Sequence, residues 1–216
     1  DVIESRGLGD VYKRQNPHFV FNALNAIQNF VINNDERNAN LFLSKFSRLM
    51  RMFLECSKNT YIPLEDELEL ITLYIEMEKL RFDDKFDYVV NIDPLVDVGS
   101  MEIPSMLLQP FIENAINHGL VYRKTTGLLK VEVKLDKEWM LCIIEDNGIG
   151  REKAMEIKKR SRKSYKSRAM QIIDERVQIL NHSKESNISI EVSDVLDEQG
   201  EVGAVSYTHL RAHETR

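Results

Sequence analysis

The chain has 216 residues, of which 43% are hydrophobic and 30% are charged, and its formal net charge is -6. This length can bury the core of one ordinary domain together with a smaller helical part. The acidic balance, without a basic stripe carrying interleaved aromatics, argues against direct binding of nucleic acid. No apolar run approaches the ~20 residues of a bilayer-spanning helix, and no signal peptide is recognised. Cys56 and Cys142 lack metal-ligand spacing, so we expect two reduced thiols in a cytosolic protein.

The two ends of the chain differ from the middle. Residues 1–15 and 206–216 show neither helical nor strand periodicity. They resemble translated adapter sequence, so we interpret them as non-native tails and leave them out of the predicted fold. The native part would then be a fragment that begins near Asn16 and stops near Val205. The helix upstream, with any sensor and membrane spans, would be missing.

The stretch QNPHFVFNALNAI, residues 15–27, predicts the start of an amphipathic helix. Asn16 suits an N-cap, and Pro17 suits the first helical position, where no amide donor is needed. At about 100° per residue, one arc holds the apolar residues Val20, Leu24, Ile27 and Val31. The opposite, polar side holds His18, Asn22, Asn25 and Asn29.

A second amphipathic helix is predicted after a turn at residues 33–37, with a stripe of Phe42, Phe46, Leu49 and Phe53. Two such helices joined by a short turn form a helical hairpin. Each helix keeps an apolar stripe in need of a partner, which favours a four-helix homodimer. A third helix is predicted over residues 64–82, so residues 16–82 form a helical region.

From residue 83 to residue 205 the pattern mixes strands and helices. Strands are predicted for FDYVVNI, LLKVEVKL, WMLCIIED and ISIEVSDVL, with a hairpin turn at DKE between the second and third. Helices are predicted after Pro104 and near residues 151–160 and 168–182. The fold class is therefore α+β, a helical hairpin followed by a two-layer α/β sandwich.

Three stretches carry residues suited to chemistry, although each one alone also has a plain structural explanation. Neutral imidazole is a nucleophile near pH 7, yet a lone exposed His18 is more often simply a surface residue. In ENAINHG, residues 113–119, a carboxamide oxygen suits magnesium, yet the stretch also fits a helix end at Gly119. In EDNGIG, residues 145–150, a carboxylate can accept the amine of adenine, yet DNG is common in turns.

Together and in this order, NPHFVFNAL, LLQPFIENAINHG and EDNGIG resemble the LytS-type sensor histidine kinases. The resemblance runs from Asn16 to about Val205. SKFSRLMR and IPLEDELELITLYIEMEKLRF also match the run between the phosphoacceptor helix and the ATP-binding domain of that family. The third motif is shared with the wider superfamily of ATP-binding domains that includes gyrase and Hsp90.

The resemblance implies ATP-dependent phosphorylation of His18, then transfer to an aspartate of a response regulator, often one of the LytTR type. Asn114 would hold Mg²⁺ against the ATP phosphates, and Asp146 would bind the adenine amine. The other implied cofactor-binding residues are Glu113, Asn117, His118, Gly148, Gly150, Ser167 and Ala169. The protein would be the cytoplasmic part of a bacterial inner-membrane sensor, a homodimer that does not itself touch DNA.

Two departures from the family pattern concern charge. Phe19 follows His18, where many histidine kinases carry an acidic residue as a base, so the general base is unidentified. Asn117 stands where a lysine is common, and Arg123 or Lys124 is a candidate for the missing positive charge.

A third departure concerns the lid over the nucleotide. Ala169 replaces a glycine of the family, which removes backbone freedom from a segment that must close on phosphates. This replacement favours an alternative function, a catalytically weak or inactive module that binds nucleotide, dimerises and docks a regulator. The presence of His18, Asn114 and Asp146 favours the active kinase.

Overall fold

A computed structural model of the chain describes residues 19–160, 168–182, 187–196 and 202–211. These residues form a helical hairpin, a long third helix, and a five-stranded sheet covered by further helices. The predicted class, a helical hairpin followed by an α/β domain, is confirmed. Within these ranges, no helix combines the length and the apolar character needed to span a membrane.

The hairpin consists of α1, residues 19–32, and α2, Glu36–Cys56. The turn between them is shorter than predicted, because α2 already begins at Glu36. Asp35 caps this helix, and its carboxylate accepts a hydrogen bond from the amide of Asn38 at 3.1 Å.

The buried face of α1 differs from the predicted stripe. The residues that are buried or packed against the core are Phe19, Ala23, Ala26, Ile27 and Phe30. Leu24 and Val31, which the pattern places on the buried face, are 52% and 62% exposed. The prediction was wrong for Leu24 and Val31, because the face of α1 that is turned to the core carries two alanines and two phenylalanines. Hydrophobic periodicity gives more weight to the larger aliphatic side chains beside that face.

The buried face of α2 is the predicted one. Phe42, Leu49 and Phe53 are buried, and Phe46 packs partly against the same core. The ring of Phe30 lies 5.9 Å from that of Phe42, whereas Phe19 lies 6.2 Å from Phe53. Since early α1 residues contact late α2 residues, the two helices are antiparallel.

The third predicted helix is confirmed as α3, Leu64–Arg81. Most of this helix is buried, because α2 covers one side of it and the α/β half covers the other. Lys45 of α2 pairs with Glu76 of α3 at 2.5 Å, and Arg48 pairs with Glu69. Hydrophobic burial and these ion pairs dock the hairpin onto α3.

Two short strands that pack beside α3 were not predicted. They are β1, Tyr61–Pro63, and β3, Glu102–Pro104, and they pair antiparallel. At three residues each, they are too short to show an alternating pattern in the sequence.

The large sheet has five strands, of which four were predicted. They are β2 (Phe86–Ile92), β4 (Gly127–Asp136), β5 (Trp139–Asp146), β6 (Ile188–Leu196) and β7 (Val202–Arg211). The spatial order is β2-β4-β5-β7-β6, with β2 parallel to β4 and every other neighbouring pair antiparallel. The predicted β4–β5 hairpin turns at Lys137, whose φ is 56°.

One face of this sheet is buried. Every second residue of β4 and β5 is turned into the core, namely Leu129, Val131, Val133, Met140, Cys142 and Ile144. Asp146 continues the same row and ends β5. The alternation therefore carries a carboxylate to the edge of the core.

β7 corrects the prediction for the C-terminal end. Residues 206–211, which we left out of the fold as part of a tail, complete β7 between β5 and β6. Thr208 and Leu210 are buried on the core face. Tyrosine and threonine are enriched in strands, and pairing with β5 and β6 supports this one on both sides. Residues 1–15 and 212–216 lie outside the described residues.

The helices near the sheet include α4, Gln109–Asn114, which begins later than predicted. A helix cannot start directly after Pro104 because Met106 has a φ of 57°, outside the helical region. A π-helical turn, Ala115–Gly119, follows α4. The predicted helices α5, Arg151–Arg160, and α6, Arg168–His182, are confirmed.

Candidate functional site

Asp146 is the centre of the candidate site. It is 6% exposed, and one carboxylate oxygen accepts the amide hydrogen of Gly148 at 2.9 Å. Burial raises the pKa of this carboxyl from 3.8 to about 7, although the Gly148 amide favours the charged form. Such a buried acceptor suits a ligand that donates a hydrogen bond.

The glycines of two separate motifs meet at this carboxylate. A Cβ atom added to Gly119 would lie 2.5 Å from Oδ1 of Asp146, and one added to Gly148 would overlap the backbone of Gly119. Only glycine allows this approach at either position. The structure therefore brings the end of ENAINHG against the turn of EDNGIG.

Two further glycines shape the same region. Gly150 has a φ of 76°, a left-handed conformation that strongly favours glycine. Gly203 of β7 lies against the backbone of Asp146 and Asn147, with no room for a Cβ atom. Sequence reasoning missed Gly203, because a glycine within a strand shows a close contact only when the neighbouring strand is known.

Asn114 is the last residue of α4 and is half-buried. Glu113 precedes it, and burial raises the pKa of this carboxyl, whereas the nearby positive charge of Arg81 lowers it. The π-helical turn begins directly after Asn114 and ends at Gly119. One turn of unusual geometry thus connects the candidate magnesium ligand with the glycine beside Asp146.

Asn117 lies within this turn and its side chain is held by α3. The guanidinium of Arg81 donates to Oδ1 of Asn117 at 3.0 Å, and Asn117 also hydrogen-bonds the hydroxyl of Tyr74. Arg81 forms an ion pair with Glu78, whose pKa burial raises to about 7. The side-chain amide of Asn117 therefore belongs to a polar cluster with Arg81, Glu78 and Tyr74.

The two charge candidates named from the sequence have different positions. Arg123 donates to the backbone carbonyl of Asn147 and, at 2.9 Å, to the hydroxyl of Thr125. It therefore braces the turn that follows Asp146. Lys124 is exposed. His118 lies in the π-helical turn and is half-buried.

Two predicted site residues lie outside the described residues, and one is described only in its backbone. His18, the predicted phosphoacceptor, directly precedes the described part of α1, and Ser167 directly precedes α6. Ala169 belongs to the first turn of α6. Phe19, next to His18 in the chain, contacts the ring of Tyr74 at 5.6 Å.

The residues present fit the chemistry of a nucleotide and a magnesium ion. Asp146 offers an acceptor to an exocyclic amine, and Asn114 offers a hard carboxamide oxygen of the kind magnesium accepts. Among the described residues, no group of three or more His, Cys, Asp or Glu side chains could hold a metal ion.

Comparison with known proteins identifies the class. Residues 9–86 match the family model described as histidine kinase. A solved structure of a bacterial phosphotransferase shares the fold, with a TM-score of 0.54 and 12% identity, covering 93% of this chain and 95% of that one. The chain belongs to the histidine kinase family.

Within this family the similarity is to LytS-type sensor proteins. The sensor protein LytS of Oceanobacillus iheyensis is 33% identical over 155 residues, which are 71% of this chain and 26% of that protein. The sensor histidine kinase BtsS of Escherichia coli K12 is 33% identical over 138 residues, 64% of this chain and 24% of that protein. The chain thus spans about a quarter of the length of these curated relatives.

Proposed function

We propose that the chain is the catalytic core of a sensor histidine kinase in a two-component system. The observation that carries the proposal is the contact between Gly119 and Gly148 at the buried carboxylate of Asp146. This contact joins the two motifs that a nucleotide would need, in a chain of the histidine kinase family. A candidate phosphoacceptor helix is docked to the same domain through α3.

In this proposal Asp146 accepts a hydrogen bond from the adenine amine, and Asn114 holds Mg²⁺ through its carboxamide oxygen. Gly148 and Gly150 shape the adenine side, and Glu113 and the π-helical turn form the phosphate side. Magnesium neutralises charge on the transferring phosphoryl group when it is bound.

The reaction requires one nucleophile and little other covalent chemistry. A ring nitrogen of His18 forms a bond to the γ-phosphorus of ATP while the bond from that phosphorus to the β,γ-bridging oxygen breaks. ADP leaves, and the imidazole ring loses its proton to solvent. The phosphoryl group then passes to an aspartate of a response regulator, for which we propose the LytTR type.

The hairpin supports a homodimer. Besides its buried face, each helix carries a second apolar stripe, which includes Leu24 and Val31 on α1 and Leu43 and Leu54 on α2. In both helices these positions are rotated by about 100° from the contact between the helices. Since the helices are antiparallel, the same rotation brings both stripes to one side of the hairpin. A second copy would cover this side in a four-helix bundle.

We also propose that this core lies on the cytoplasmic side of a bacterial inner membrane, joined to a sensor region in the complete protein. The support is the similarity to proteins named sensor proteins, of which the chain spans about a quarter. The complete gene would test this directly, because it would reveal membrane spans and a sensor domain upstream of His18.

Radiolabelling with γ-³²P-ATP and Mg²⁺ tests the kinase activity. We expect phosphate that is labile in acid and stable in alkali, and that is lost in His18→Gln. The matched control is His182→Gln, which changes an exposed histidine on α6 and should label like the parent. Equal labelling of His18→Gln and the parent would show that His18 is not the phosphoacceptor.

Nucleotide binding separates the kinase from the alternative, a weak or inactive nucleotide-binding module. We expect Asp146→Asn to weaken ATP binding strongly in calorimetry, because the acceptor becomes a mixed donor and acceptor. Binding that Asp146→Asn weakens, in a protein that never labels, would support the module. Tight binding that Asp146→Asn leaves unchanged would exclude the adenine assignment.

A further inference from the structure

The π-helical turn at Ala115–Gly119 is an unusual element at an important place. Such turns are rare and are frequently found at functional sites. This one joins Asn114 to Gly119, and Gly119 lies against Asp146. The winding of the turn therefore sets where the candidate magnesium ligand lies relative to the candidate adenine acceptor.

Two side chains of α3 hold this turn from outside. Arg81 donates to Oδ1 of Asn117 at 3.0 Å, and the hydroxyl of Tyr74 is hydrogen-bonded to the same amide. Asn117 is the middle residue of the turn, so both contacts act at its centre. The position of the turn therefore depends in part on partners outside it.

Arg81 is itself fixed by its surroundings. Its side chain is 14% exposed, pairs with Glu78 and lies with its guanidinium carbon 4.2 Å from the centre of the Phe82 ring. These contacts direct the guanidinium toward Asn117. Its Nη2 donates both to Glu78 and to Oδ1 of Asn117, whereas its Nε is buried without a hydrogen-bond partner among the described residues. Arg81 therefore reaches the candidate site through Asn117.

Tyr74 connects the same cluster to the hairpin. Its ring lies 5.6 Å from the ring of Phe19, at the start of the described part of α1. Its hydroxyl is hydrogen-bonded to Asn117 in the π-helical turn. One buried side chain thus contacts both the phosphoacceptor helix and the turn of the candidate ATP site.

We propose that Arg81 and Tyr74 are positioning residues for phosphoryl transfer, which hold Asn117 and thereby keep Asn114 and Gly119 in their working arrangement. This inference rests on the proposed function, because it assigns a role within the same site. It also assigns the positive charge near Asn117 to Arg81 of α3, in place of Arg123 or Lys124.

Conservative variants test the positioning role. Arg81→Lys keeps the charge but cannot donate to Glu78 and Asn117 in the same planar arrangement. Tyr74→Phe keeps the ring against Phe19 and removes only the hydroxyl. The matched control is Arg48→Lys, which makes the same exchange in the ion pair with Glu69, away from the π-helical turn.

We expect the maximal labelling rate of Arg81→Lys and Tyr74→Phe to fall about 10- to 100-fold, since small displacements at a reacting centre have effects of this size. KM for ATP should change much less, and the melting temperature should remain close to that of Arg48→Lys. The gain in ADP affinity on adding Mg²⁺, measured by calorimetry, should also shrink in both variants. The ¹⁵N-labelled side-chain amide signal of Asn117 should shift in nucleotide-free protein.

Each of the other possible outcomes contradicts either the positioning role or the kinase proposal. Parent-like rates and parent-like magnesium dependence in both variants would overturn the inference while leaving the kinase intact. If the labelling rate falls only in proportion to a lowered melting temperature, and does so in Arg48→Lys as well, Arg81 and Tyr74 contribute to stability and not to positioning. If the parent binds Mg-ADP but does not label His18, the kinase proposal fails. The gain in ADP affinity on adding Mg²⁺, compared between the parent and the two variants, then still tests the positioning role. A parent that binds no nucleotide would overturn both.

Discussion

Asp146 lies in a position that is unfavourable for a charged side chain. Its carboxylate is buried at the end of β5, beside backbone rather than beside cations. The Gly148 amide compensates only part of the lost hydration, so the pKa is raised to about 7. A carboxyl with a raised pKa, set between the glycines of two motifs, is a candidate for binding a ligand.

The raised pKa predicts a pH-dependent effect of Asp146→Asn. In the folded parent the neutral acid is favoured. The contribution of Asp146 to stability is therefore greatest below about pH 4 and falls as the pH rises toward about 7. Asparagine keeps an oxygen for the Gly148 amide and avoids this loss. The melting temperature of Asp146→Asn should therefore exceed that of the parent by several degrees more at pH 8 than at pH 5, in scanning calorimetry without nucleotide.

Comparing the parent with Asp146→Asn at two pH values isolates the effect of the Asp146 carboxyl. Burial raises the pKa of Glu67 and of Glu78 to about 7 as well, but both carboxyls are present in parent and variant, so their effects cancel in the difference. A difference in melting temperature that is the same at both pH values would contradict the raised pKa of Asp146.

Gly119 gives a second prediction at the scale of a residue. In Gly119→Ala the new Cβ would lie 2.5 Å from Oδ1 of Asp146, so the carboxylate or the turn must move. We expect a loss of about 1–3 kcal/mol in the free energy of unfolding and a loss of ATP binding. Gly99→Ala is the control, because its nearest neighbour would lie 3.7 Å away. Unchanged urea unfolding and ATP affinity in Gly119→Ala would show that the contact is not tight.

At the scale of elements, the hairpin has two apolar faces with different tasks. One face, with Phe42 and Leu49 at its centre, is buried within the chain. The other, with Leu24 and Leu54, is exposed in a single copy. Exposed aliphatic stripes on both helices, on the same side, are typical of a surface that a partner covers.

The exposed face predicts that Leu24→Glu combined with Leu54→Glu gives a monomer. Charges in the centre of a four-helix interface would be buried without partners, which is strongly unfavourable. We expect light scattering to give a dimer for the parent and one copy for the double variant, with circular dichroism unchanged. Ile179→Glu, at an exposed position of α6, is the control and should remain dimeric. A dimeric double variant would mean that copies associate through another surface.

At the scale of the whole molecule, α3 and β7 hold the parts together. α3 contacts the hairpin through ion pairs and Tyr74, and it contacts the candidate site through Arg81. β7 lies between β5 and β6, so it provides hydrogen-bond partners to strands on both sides. Neither element carries a site residue predicted from the sequence, yet α3 holds Asn117 through Arg81 and β7 lies against the backbone of Asp146 at Gly203.

The position of β7 predicts the effect of ending the chain after Val205. This truncation removes Thr208 and Leu210 from the buried face and leaves residues Ile188–Val192 of β6 without partners on β7. We expect loss of the cooperative thermal transition, measured by circular dichroism at 222 nm. Removing only residues 212–216 is the control and should leave the transition in place. A parent-like transition in the longer truncation would show that residues 206–211 are dispensable.

The sequence by itself determined the types of most elements. Helices α2, α3, α5 and α6, the hairpin of β4 and β5, and strand β6 follow from periodicity and turn residues, which depend on neighbours a few positions away. The three motifs also stand in the sequence, and with them the resemblance to sensor histidine kinases.

Only the tertiary structure decided which face of α1 is buried, that residues 206–211 belong to the sheet, and what surrounds Asp146. The contact of Gly119 with Gly148 and the hydrogen bond from Arg81 to Asn117 join residues from different elements, 36 positions apart in the second case. Such contacts arise when packing brings elements together, and no local pattern encodes them. The sequence alone therefore determined the residue types proposed for nucleotide binding and phosphoryl transfer. The arrangement of the described ones depends on α3, β7 and one π-helical turn.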